Sequence, residues 1–420
     1  MTKIIINGGK KLEGVLPIFG AKNASLPIIC AAVLAHEQVE LTNIPALSDI
    51  QLLLDLLEEL GCQTSFNKQT RTVLIDASNI TNTQLSDKAN KMRASIWLLA
   101  PLLARKGSVK LPYPGGCSIG GRPIDITLDG LKAMGAVFED SDEFLIANVD
   151  SLVGTEFRMH FPSVGATEGL MMAGATAKGV TVLSNVAVEP EVVDTMDFLN
   201  SLGADIKFTG ETEITINGVE RLTKTSHNII PDRIITGTYA VMAALTAGEK
   251  GIKIENCNPQ HLATELNVLK AAGVEMQISE DSIFVPQQTK TFKAVDFETA
   301  VYPGFATDLQ SPVMMFLTQC EGESHVTENI YENRFMHIPE LNKMGADIKA
   351  VSNHIACVTG QTDLTADAVE STDLRASACL VAAGLIAKGE TVVSKVEHLD
   401  RGYETLDKFL AAVGADIKRV

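Results

Sequence analysis

The 420-residue chain has few aromatic residues and no excess of positive charge. Aromatic side chains make up 5% of it, and 52 acidic against 35 basic residues give a formal net charge of −17. A charge of this sign disfavours electrostatic binding to nucleic acid or to an anionic membrane surface. An anionic ligand would therefore have to meet a local cluster of cations.

Long apolar runs and closely paired cysteines are also lacking. The longest apolar runs, residues 94–104 and 376–387, are shorter than the roughly 20 residues that span a bilayer. The N-terminus reads as a strand and has no signal-peptide pattern, which favours a cytoplasmic protein without a membrane segment. No Cys-x-x-Cys occurs, so the seven scattered cysteines predict neither a disulfide framework nor a zinc site.

Glycine is concentrated in the stretch 113–125, where four glycines surround Cys117 and precede Arg122. Glycine permits turns that expose a residue at a loop tip, and a nearby cation favours thiolate over thiol. The stretch therefore predicts a reactive cysteine on a loop. Taken alone, it is equally compatible with a glycine-rich surface loop that happens to contain a cysteine.

The chain repeats itself six times. An apolar helix that ends in glycine and leads into a short strand recurs about every 70 residues, and glycine is the usual left-handed C-cap of a helix. Between these copies lie six helices rich in small apolar residues, so each unit reads roughly βαβαββ. The glycines that mark the copies are Gly61, Gly135, Gly203, Gly273, Gly345 and Gly414.

The six units divide most simply into two domains of three units each, which predicts an α/β fold. The polar segment 223–231 is the candidate crossing point between the domains, and a second crossing is expected near residues 20–21. The predicted domains are residues 22–229 and residues 1–21 plus 230–420.

Charged or polar residues open the helices that are rich in small residues. A helix N-terminus attracts anions, and cations there are unfavourable unless an anion offsets them. Ordinary N-capping explains Ser163, Thr167 and Asp232, but it does not explain the cations. We therefore expect a cleft for an anionic ligand between the two domains. The cations at these positions are Lys22, Arg93, Arg233 and Arg375.

Motifs of one enzyme family recur along the whole chain, in residues 20–24, 92–97, 114–120, 122–123, 163–167, 189–194, 231–233, 307–310, 332–337, 372–377 and 400–404. Together these stretches resemble the enolpyruvyl transferase family. The resemblance implies a two-domain inside-out α/β barrel of six βαβαββ units, with the active site between the domains. It implies transfer of the enolpyruvyl group of phosphoenolpyruvate to the 3′-hydroxyl of UDP-N-acetylglucosamine, a step of peptidoglycan synthesis, without cofactor or metal.

The resemblance also implies roles for particular residues. Cys117 would protonate phosphoenolpyruvate and form a covalent adduct with it, and Asp308 would accept the proton of the sugar hydroxyl, although a simple N-capping role would also explain an aspartate there. The base of the elimination step stays open between Asp308, Cys117 and Lys22. Cations would bind the carboxylate and phosphate of phosphoenolpyruvate: Lys22, Arg122, Arg375 and Arg401, with Arg334 as a further possibility.

The resemblance also implies which residues contact the nucleotide sugar, at its uridine, its diphosphate and its hexose. Some family members carry a lysine shortly before the Ser163 motif, and this chain has Phe161 and Pro162 instead. A cationic contact from that position is therefore lost or supplied elsewhere. The implied contacts are Asn23, Arg93, Arg122, Pro123, Ile124, Asp125, Ile126, Ser163, Val164, Gly165 and Ile330.

Two alternatives stay open. One is 5-enolpyruvylshikimate-3-phosphate synthase, a family member that lacks the cysteine loop, so Cys117 and the Arg122-Pro123 pair favour the nucleotide sugar. The other is a protein that binds UDP-N-acetylglucosamine without turning it over. The joint presence of an acid and a base, Cys117 and Asp308, argues against that alternative because a pure binder needs neither.

Overall fold

The computed structural model describes residues 2–113, 115, 124–139 and 141–420; Cys117, Arg122 and Pro123 lie outside the described residues. The chain forms two compact units. Of the described residues, the terminal unit contains those up to Phe19 together with Pro231–Val420, and the middle unit contains those between Gly20 and Ile230. Each unit has its own hydrophobic core.

Strands and helices alternate along the described chain. The strands are β1 (Ile4–Asn7), β2 (Leu12–Pro17), β3 (Val39–Thr42), β4 (Gln63–Asn67), β5 (Thr72–Asp76), β6 (Ser108–Pro112), β7 (Val137–Glu139), β8 (Phe144–Asn148), β9 (Glu156–Arg158), β10 (Val180–Ser184), β11 (Asp205–Gly210), β12 (Glu213–Asn217), β13 (Ser226–Asn228), β14 (Ala247–Glu255), β15 (Gln277–Ile278), β16 (Ser282–Val285), β17 (Phe297–Glu298), β18 (Gly322–Thr327), β19 (Asp347–Ala350), β20 (Ile355–Gly360), β21 (Ala368–Glu370), β22 (Glu390–Ser394) and β23 (Asp416–Arg419). The helices are α1 (Lys22–Ala31), α2 (Ser48–Glu59), α3 (Leu99–Lys106), α4 (Asp125–Ala133), α5 (Val164–Gly174), α6 (Pro190–Ser201), α7 (Arg233–Thr246), α8 (Ala263–Ala271), α9 (Gln310–Leu317), α10 (Ile338–Lys343), α11 (Leu374–Ile386) and α12 (Leu406–Ala412).

Each unit contains three sheets that share the same arrangement of strands. The sheets are β13-β3-β5-β4, β6-β8-β7 and β9-β10-β12-β11 in the middle unit, and β2-β14-β16-β15, β17-β18-β20-β19 and β21-β22-β1-β23 in the terminal unit. In every four-stranded sheet the first edge strand is parallel to its neighbour and the other pairs are antiparallel. In the three-stranded sheet a single parallel bridge, Gln84 to Lys110, stands in that place. The predicted α/β fold of six repeated units, three per unit of structure, is confirmed.

The helices rich in small residues lie at the centre of each unit. Helices α7, α9 and α11 contact one another in the terminal unit, and α1, α5 and the segment 93–106 do so in the middle unit. Close approach depends on missing side chains: a Cβ on Gly237 of α7 would lie 2.4 Å from Cδ1 of Leu309. The strands alternate between buried and more exposed residues. Helices are thus inside and sheets outside, as in an inside-out barrel.

Capping side chains begin several of these helices. Asp232 accepts hydrogen bonds from the backbone N–H groups of Ile234 and Ile235, both at 2.9 Å, and Ser163 accepts one from Ala166 at 3.3 Å. Thr167 was expected to cap a helix, and that is wrong. It lies inside α5 and donates its hydroxyl to the carbonyl oxygen of Ser163 at 2.8 Å, an intrahelical bond that threonine commonly makes.

Within the described ranges, no helix combines the length and the apolar character that crossing a membrane requires.

Candidate active site

Asp308 lies at the centre of a cationic cluster in the terminal unit. It occupies the short helical turn Thr307–Leu309 that leads into α9. Its Oδ1 pairs with Nη2 of Arg334, and its Oδ2 lies 2.8 Å from Nη2 of Arg375. Both arginine side chains are 5% exposed, whereas that of Asp308 is 25% exposed. The structure therefore brings these three predicted residues together.

Arg375 is the second residue of α11, and its side chain lies between the carboxylate of Asp308 and the ring of Tyr403. Its guanidinium lies 5.6 Å from the ring centre of Tyr403, whose hydroxyl is 2.9 Å from Oγ1 of Thr238. Burial alone would lower the pKa of Arg375, but attraction to Asp308, Tyr403 and Asp232 raises it above its ordinary value. In the described part of the chain, its buried Nη1 has no hydrogen-bond partner. Buried donors are normally satisfied, so this nitrogen is a candidate contact for an anionic ligand.

Arg334 connects the cluster to a fully buried carboxylate, that of Glu328. Its Nε donates to Oγ1 of Thr307 at 3.1 Å, and the Thr307 hydroxyl donates to Oε2 of Glu328 at 3.0 Å. The guanidinium also lies 5.5 Å from the ring centre of Tyr331. Thr307, Glu328 and Tyr403 were not predicted as site residues. Thr307 and Tyr403 lie in the matching stretches 307–310 and 400–404, which could have pointed to them, whereas Glu328 lies in no such stretch.

Two further predicted residues of the terminal unit lie close in sequence to these groups. Ile330 is half-buried, and its backbone N–H donates to Oε1 of Glu328 at 2.9 Å. Arg401 is half-buried at the end of the helical turn Val396–Arg401. Gly402, which follows it, packs so closely on Leu374 that a Cβ there would lie 2.7 Å from Cδ1 of that side chain.

In the middle unit, predicted residues lie at the starts of helices that contact one another. Lys22 and Asn23 open α1, and Arg93 opens the helical turn Arg93–Leu98; neither element has an acidic residue in its first turn. Ser163 caps α5, followed by Val164 and Gly165. These starts therefore combine basic side chains with backbone N–H groups, a combination that suits an anion.

Trp97 was not predicted as a site residue, although it lies beside one of these helix starts. A Cβ on Gly165 would be 3.8 Å from its Nε1, and in the described part of the chain this buried nitrogen has no hydrogen-bond partner. It is a second buried donor that a ligand could use.

The remaining predicted contacts of the middle unit lie at the start of α4. Asp125 is its first residue and is exposed, with Oδ2 at 3.7 Å from Nε2 of His160, whereas Ile126 is buried and Ile124 half-buried. Phe161, where some family members carry lysine, is 44% exposed. The Cys117, Arg122 and Pro123 predictions fall outside the described residues.

The described cysteines are free thiols, five of them buried. Burial raises the pKa of Cys62 and Cys257 to about 11 and that of Cys320 to about 12. Such thiols are protonated and unreactive at neutral pH. Among the described residues one group offers metal-ligand atoms close together, within 4.8 Å: Glu323, His325 and Cys357, largely exposed on the β18–β20 pair. None of these residues is a predicted site residue.

Comparison with known proteins places this geometry in a family. The model of the EPSP synthase (3-phosphoshikimate 1-carboxyvinyltransferase) family matches residues 6–410. Proteins of Chelativorans sp. (strain BNC1) and Caulobacter vibrioides (strain NA1000 / CB15N), both named UDP-N-acetylglucosamine 1-carboxyvinyltransferase, are each 44% identical to this chain. The alignments cover 100% of this chain and 100% and 98% of those proteins.

The comparison of structures agrees. The crystal structure of the enolpyruvyl transferase NikO from Streptomyces tendae matches with a TM-score of 0.91 at 26% identity, covering 100% of this chain and 99% of the other. The resemblance predicted from the sequence is thereby confirmed. Over its whole length, the chain belongs to the enolpyruvyl transferase family.

Proposed function

We propose that this chain transfers the enolpyruvyl group of phosphoenolpyruvate to the 3′-hydroxyl of UDP-N-acetylglucosamine and releases phosphate, the first committed step of peptidoglycan synthesis. The names of relatives that are 44% identical over the full length support this substrate pair. The observation that carries the proposal is the Asp308 cluster, a carboxylate between two buried arginines, one of which has a buried N–H group without a hydrogen-bond partner among the described residues.

Cations bind phosphoenolpyruvate in this proposal. The substrate brings a carboxylate and a phosphate, and guanidinium groups bind such anions in a forked geometry that is stronger out of water. Nη1 of Arg375, which no described residue hydrogen-bonds, supplies one such contact. Lys22, Arg122 and Arg401 supply others, and Arg334 is a further candidate.

Cys117 acts as the acid. Its proton goes to the methylene carbon of phosphoenolpyruvate, and positive charge develops on the adjacent carbon, which the 3′-oxygen of the sugar attacks. The resulting tetrahedral intermediate then loses phosphate and a methyl proton, which restores the double bond. Asp308, Cys117 and Lys22 are the candidates that take this last proton. The same cysteine forms the covalent adduct with phosphoenolpyruvate.

Asp308 accepts the proton of the 3′-hydroxyl as the new C–O bond forms. A carboxylate paired with two guanidinium groups is a weak base, because both charges favour its ionised form. An anionic substrate competes for Arg375, which leaves Oδ2 of Asp308 less neutralised and able to take the proton. Binding of the anion thus prepares the base.

The nucleotide sugar is bound by the helix starts of the middle unit. The start of α5 offers the diphosphate the backbone N–H groups of Val164 and Gly165 and the hydroxyl of Ser163, because the Ser163 N–H donates to the carbonyl oxygen of Phe161 at 2.8 Å. The side chains of Asn23 and Arg93 add to this site. Ile330 lies beside the hexose, and residues 122–126 follow the uridine and diphosphate. These assignments come from the family resemblance and agree with the chemistry of a helix N-terminus.

Phosphate release tests the proposal. Wild type and Cys117→Ser are each assayed with phosphoenolpyruvate plus either UDP-N-acetylglucosamine or shikimate 3-phosphate. We expect release with the nucleotide sugar alone and a strong loss in Cys117→Ser, because serine is a much weaker acid. Cys357→Ser, which removes a half-buried cysteine outside the proposed site, is the matched control and should retain activity.

Other outcomes point to the alternatives. Release with shikimate 3-phosphate would replace the proposed acceptor. If neither acceptor supports release and the nucleotide sugar still binds, the chain is a non-catalytic binder.

A further inference from the structure

Glu328 is a fully buried carboxylate behind the Asp308 cluster. It is the first residue after β18 and is 0% exposed. Its Oε2 accepts the hydroxyl of Thr307 at 3.0 Å. Its Oε1 accepts the hydroxyl of Thr299 at 2.9 Å and the backbone N–H groups of Ile330 and Tyr331 at 2.9 and 3.1 Å. Both oxygens are therefore used, and all four partners donate.

These hydrogen bonds have a fixed direction. Arg334 has only donors, so its Nε–H occupies the oxygen of Thr307, and the single hydroxyl hydrogen of Thr307 must go to an acceptor. An ionised carboxylate accepts at both oxygens, whereas an amide accepts at one end and donates at the other. A carboxylate at position 328 accepts from the hydroxyl on one side and from the two N–H groups on the other, whereas a glutamine would present a donor to one of these sides.

Burying a carboxylate costs free energy unless it is well hydrogen-bonded. The backbone of Glu328 is also fixed, since its N–H donates to the carbonyl oxygen of His354 at 2.8 Å. The charge is thus held in one place beside the turn that carries Asp308. A buried charge retained in this way is expected where it organises a site.

We propose that Glu328 is a positioning residue: through Thr307 it orients Arg334 on Oδ1 of Asp308, and through the 330–331 amides it fixes the loop beside the sugar. The inference rests on the proposed function. When the anionic substrate draws Arg375 from Oδ2, Arg334 stays in place and keeps the carboxylate oriented toward the 3′-hydroxyl. Glu328 itself touches no reacting atom.

Glu328→Gln tests this role. We expect kcat to fall between about 10-fold and about 100-fold, because a small misplacement of a base has effects of that size. The kcat of Thr307→Val should fall by a similar factor. Thr307→Ser keeps the hydroxyl and should retain most of the wild-type kcat. The double variant Glu328→Gln/Thr307→Val should lose no more than the worse single variant, because both changes break one chain of hydrogen bonds.

Glu340→Gln is the matched control. Glu340 is also a buried carboxylate of the terminal unit, but it pairs with Lys343 and accepts from the backbone N–H of Glu370. This variant should lose thermal stability and keep the wild-type kcat.

Three results would overturn the inference: wild-type kcat in Glu328→Gln, equal loss in Thr307→Ser and Thr307→Val, or losses that multiply in the double variant. If Glu328→Gln does not fold, the two Thr307 variants decide the matter. A wild type that releases no phosphate with either acceptor rejects the proposed function and this inference with it. An active wild type with unaffected variants rejects the inference alone.

Discussion

Single residues decide how an acidic protein binds an anionic substrate. The chain carries a net charge of −17, so binding depends on a few cations held at one place. Arg375 is the best placed of the described cations, because its Nη2 holds Asp308 at 2.8 Å while its buried Nη1 has no hydrogen-bond partner within the described ranges. One planar group can therefore hold the base through Nη2 and meet the substrate through Nη1.

Arg375→Lys should separate charge from geometry. Lysine keeps the positive charge but has one nitrogen, which cannot serve Asp308 and the substrate from a forked group. We expect kcat/KM for phosphoenolpyruvate to fall by about 100-fold, equivalent to roughly 3 kcal/mol. Steady-state rates at varied phosphoenolpyruvate measure this effect.

A control for that variant is Arg105→Lys. Arg105 is a half-buried arginine that donates to the carbonyl oxygens of Val33 and Ala77, outside the proposed site. Its replacement should affect stability and leave kcat/KM unchanged. Wild-type kcat/KM in Arg375→Lys would mean that charge alone suffices.

Sequence patterns could identify Asp308 and Arg375 but not their pairing. Each was expected because it opens a helix or matches a family motif, and helix starts are visible in the sequence. The hydrogen bonds from Arg334 through Thr307 to Glu328 join residues more than 20 positions apart. Which side chains meet there depends on how β18 and the turn before α9 pack, which no local pattern encodes.

At the level of secondary-structure elements, the sixfold repeat was predictable because each copy carries the same residue pattern. Runs of small residues predict helices that pack closely, and glycine after an apolar helix predicts its end. Thr167 shows the limit of such reading. A hydroxyl near a helix start caps the helix or bonds back to a carbonyl within it, and Ser163 already serves as the cap of α5.

Helices α5 and α6 enclose a buried glutamate whose protonation should affect stability. Glu168 of α5 is fully buried, and its Oε1 accepts the hydroxyl of Thr195 on α6 at 3.4 Å. Burial, together with the charges of Glu191 and Glu189, raises the pKa of Glu168 well above its ordinary value of 4.5. The folded protein therefore holds this proton at pH values where the unfolded chain releases it.

The sign of the effect follows from that difference. Below about pH 4.5 the folded and the unfolded chain both bind this proton, so the group makes the free energy of unfolding no different with pH. Above about pH 4.5 the unfolded chain releases the proton, and the free energy of unfolding falls by about 1.4 kcal/mol per pH unit until the folded group also ionises. Glu168→Gln mimics the protonated form and carries no proton to lose. We expect the free energy of unfolding of this variant, relative to wild type, to increase from pH 5 to pH 7.

Urea unfolding at several pH values measures this difference. Glu211→Gln, which changes an exposed glutamate of the same unit, is the control and should differ from wild type by a constant amount. A constant difference for Glu168→Gln as well would show that Glu168 is ionised in the folded state.

At the scale of the whole molecule, two units carry two separate cores. One hydrophobic cluster contains residues between Ala21 and Ile229, and the other contains residues up to Ile18 and from Ile234 onward. The N-terminal strands complete sheets of the terminal unit, with β1 between β22 and β23 and β2 beside β14. The fold of that unit thus needs both ends of the chain.

Separate cores predict separate unfolding transitions. We propose that the two units are domains that unfold as cooperative blocks of their own, because cooperativity follows shared core packing. Phe198 and Phe316 are both fully buried, the first in the middle unit and the second in the terminal unit. Phe198→Leu should lower the free energy of unfolding of the middle unit by about 1–3 kcal/mol, and Phe316→Leu should lower that of the terminal unit by a similar amount.

Calorimetry of the wild type and the two variants distinguishes the possibilities. A calorimetric enthalpy larger than the van't Hoff enthalpy, with each variant shifting one of two component transitions by a few degrees, supports independent domains. A single transition whose temperature both variants lower equally contradicts independent unfolding, because the whole chain would then unfold as one block. In that case the two cores are coupled strongly enough that damage to either is felt throughout the molecule.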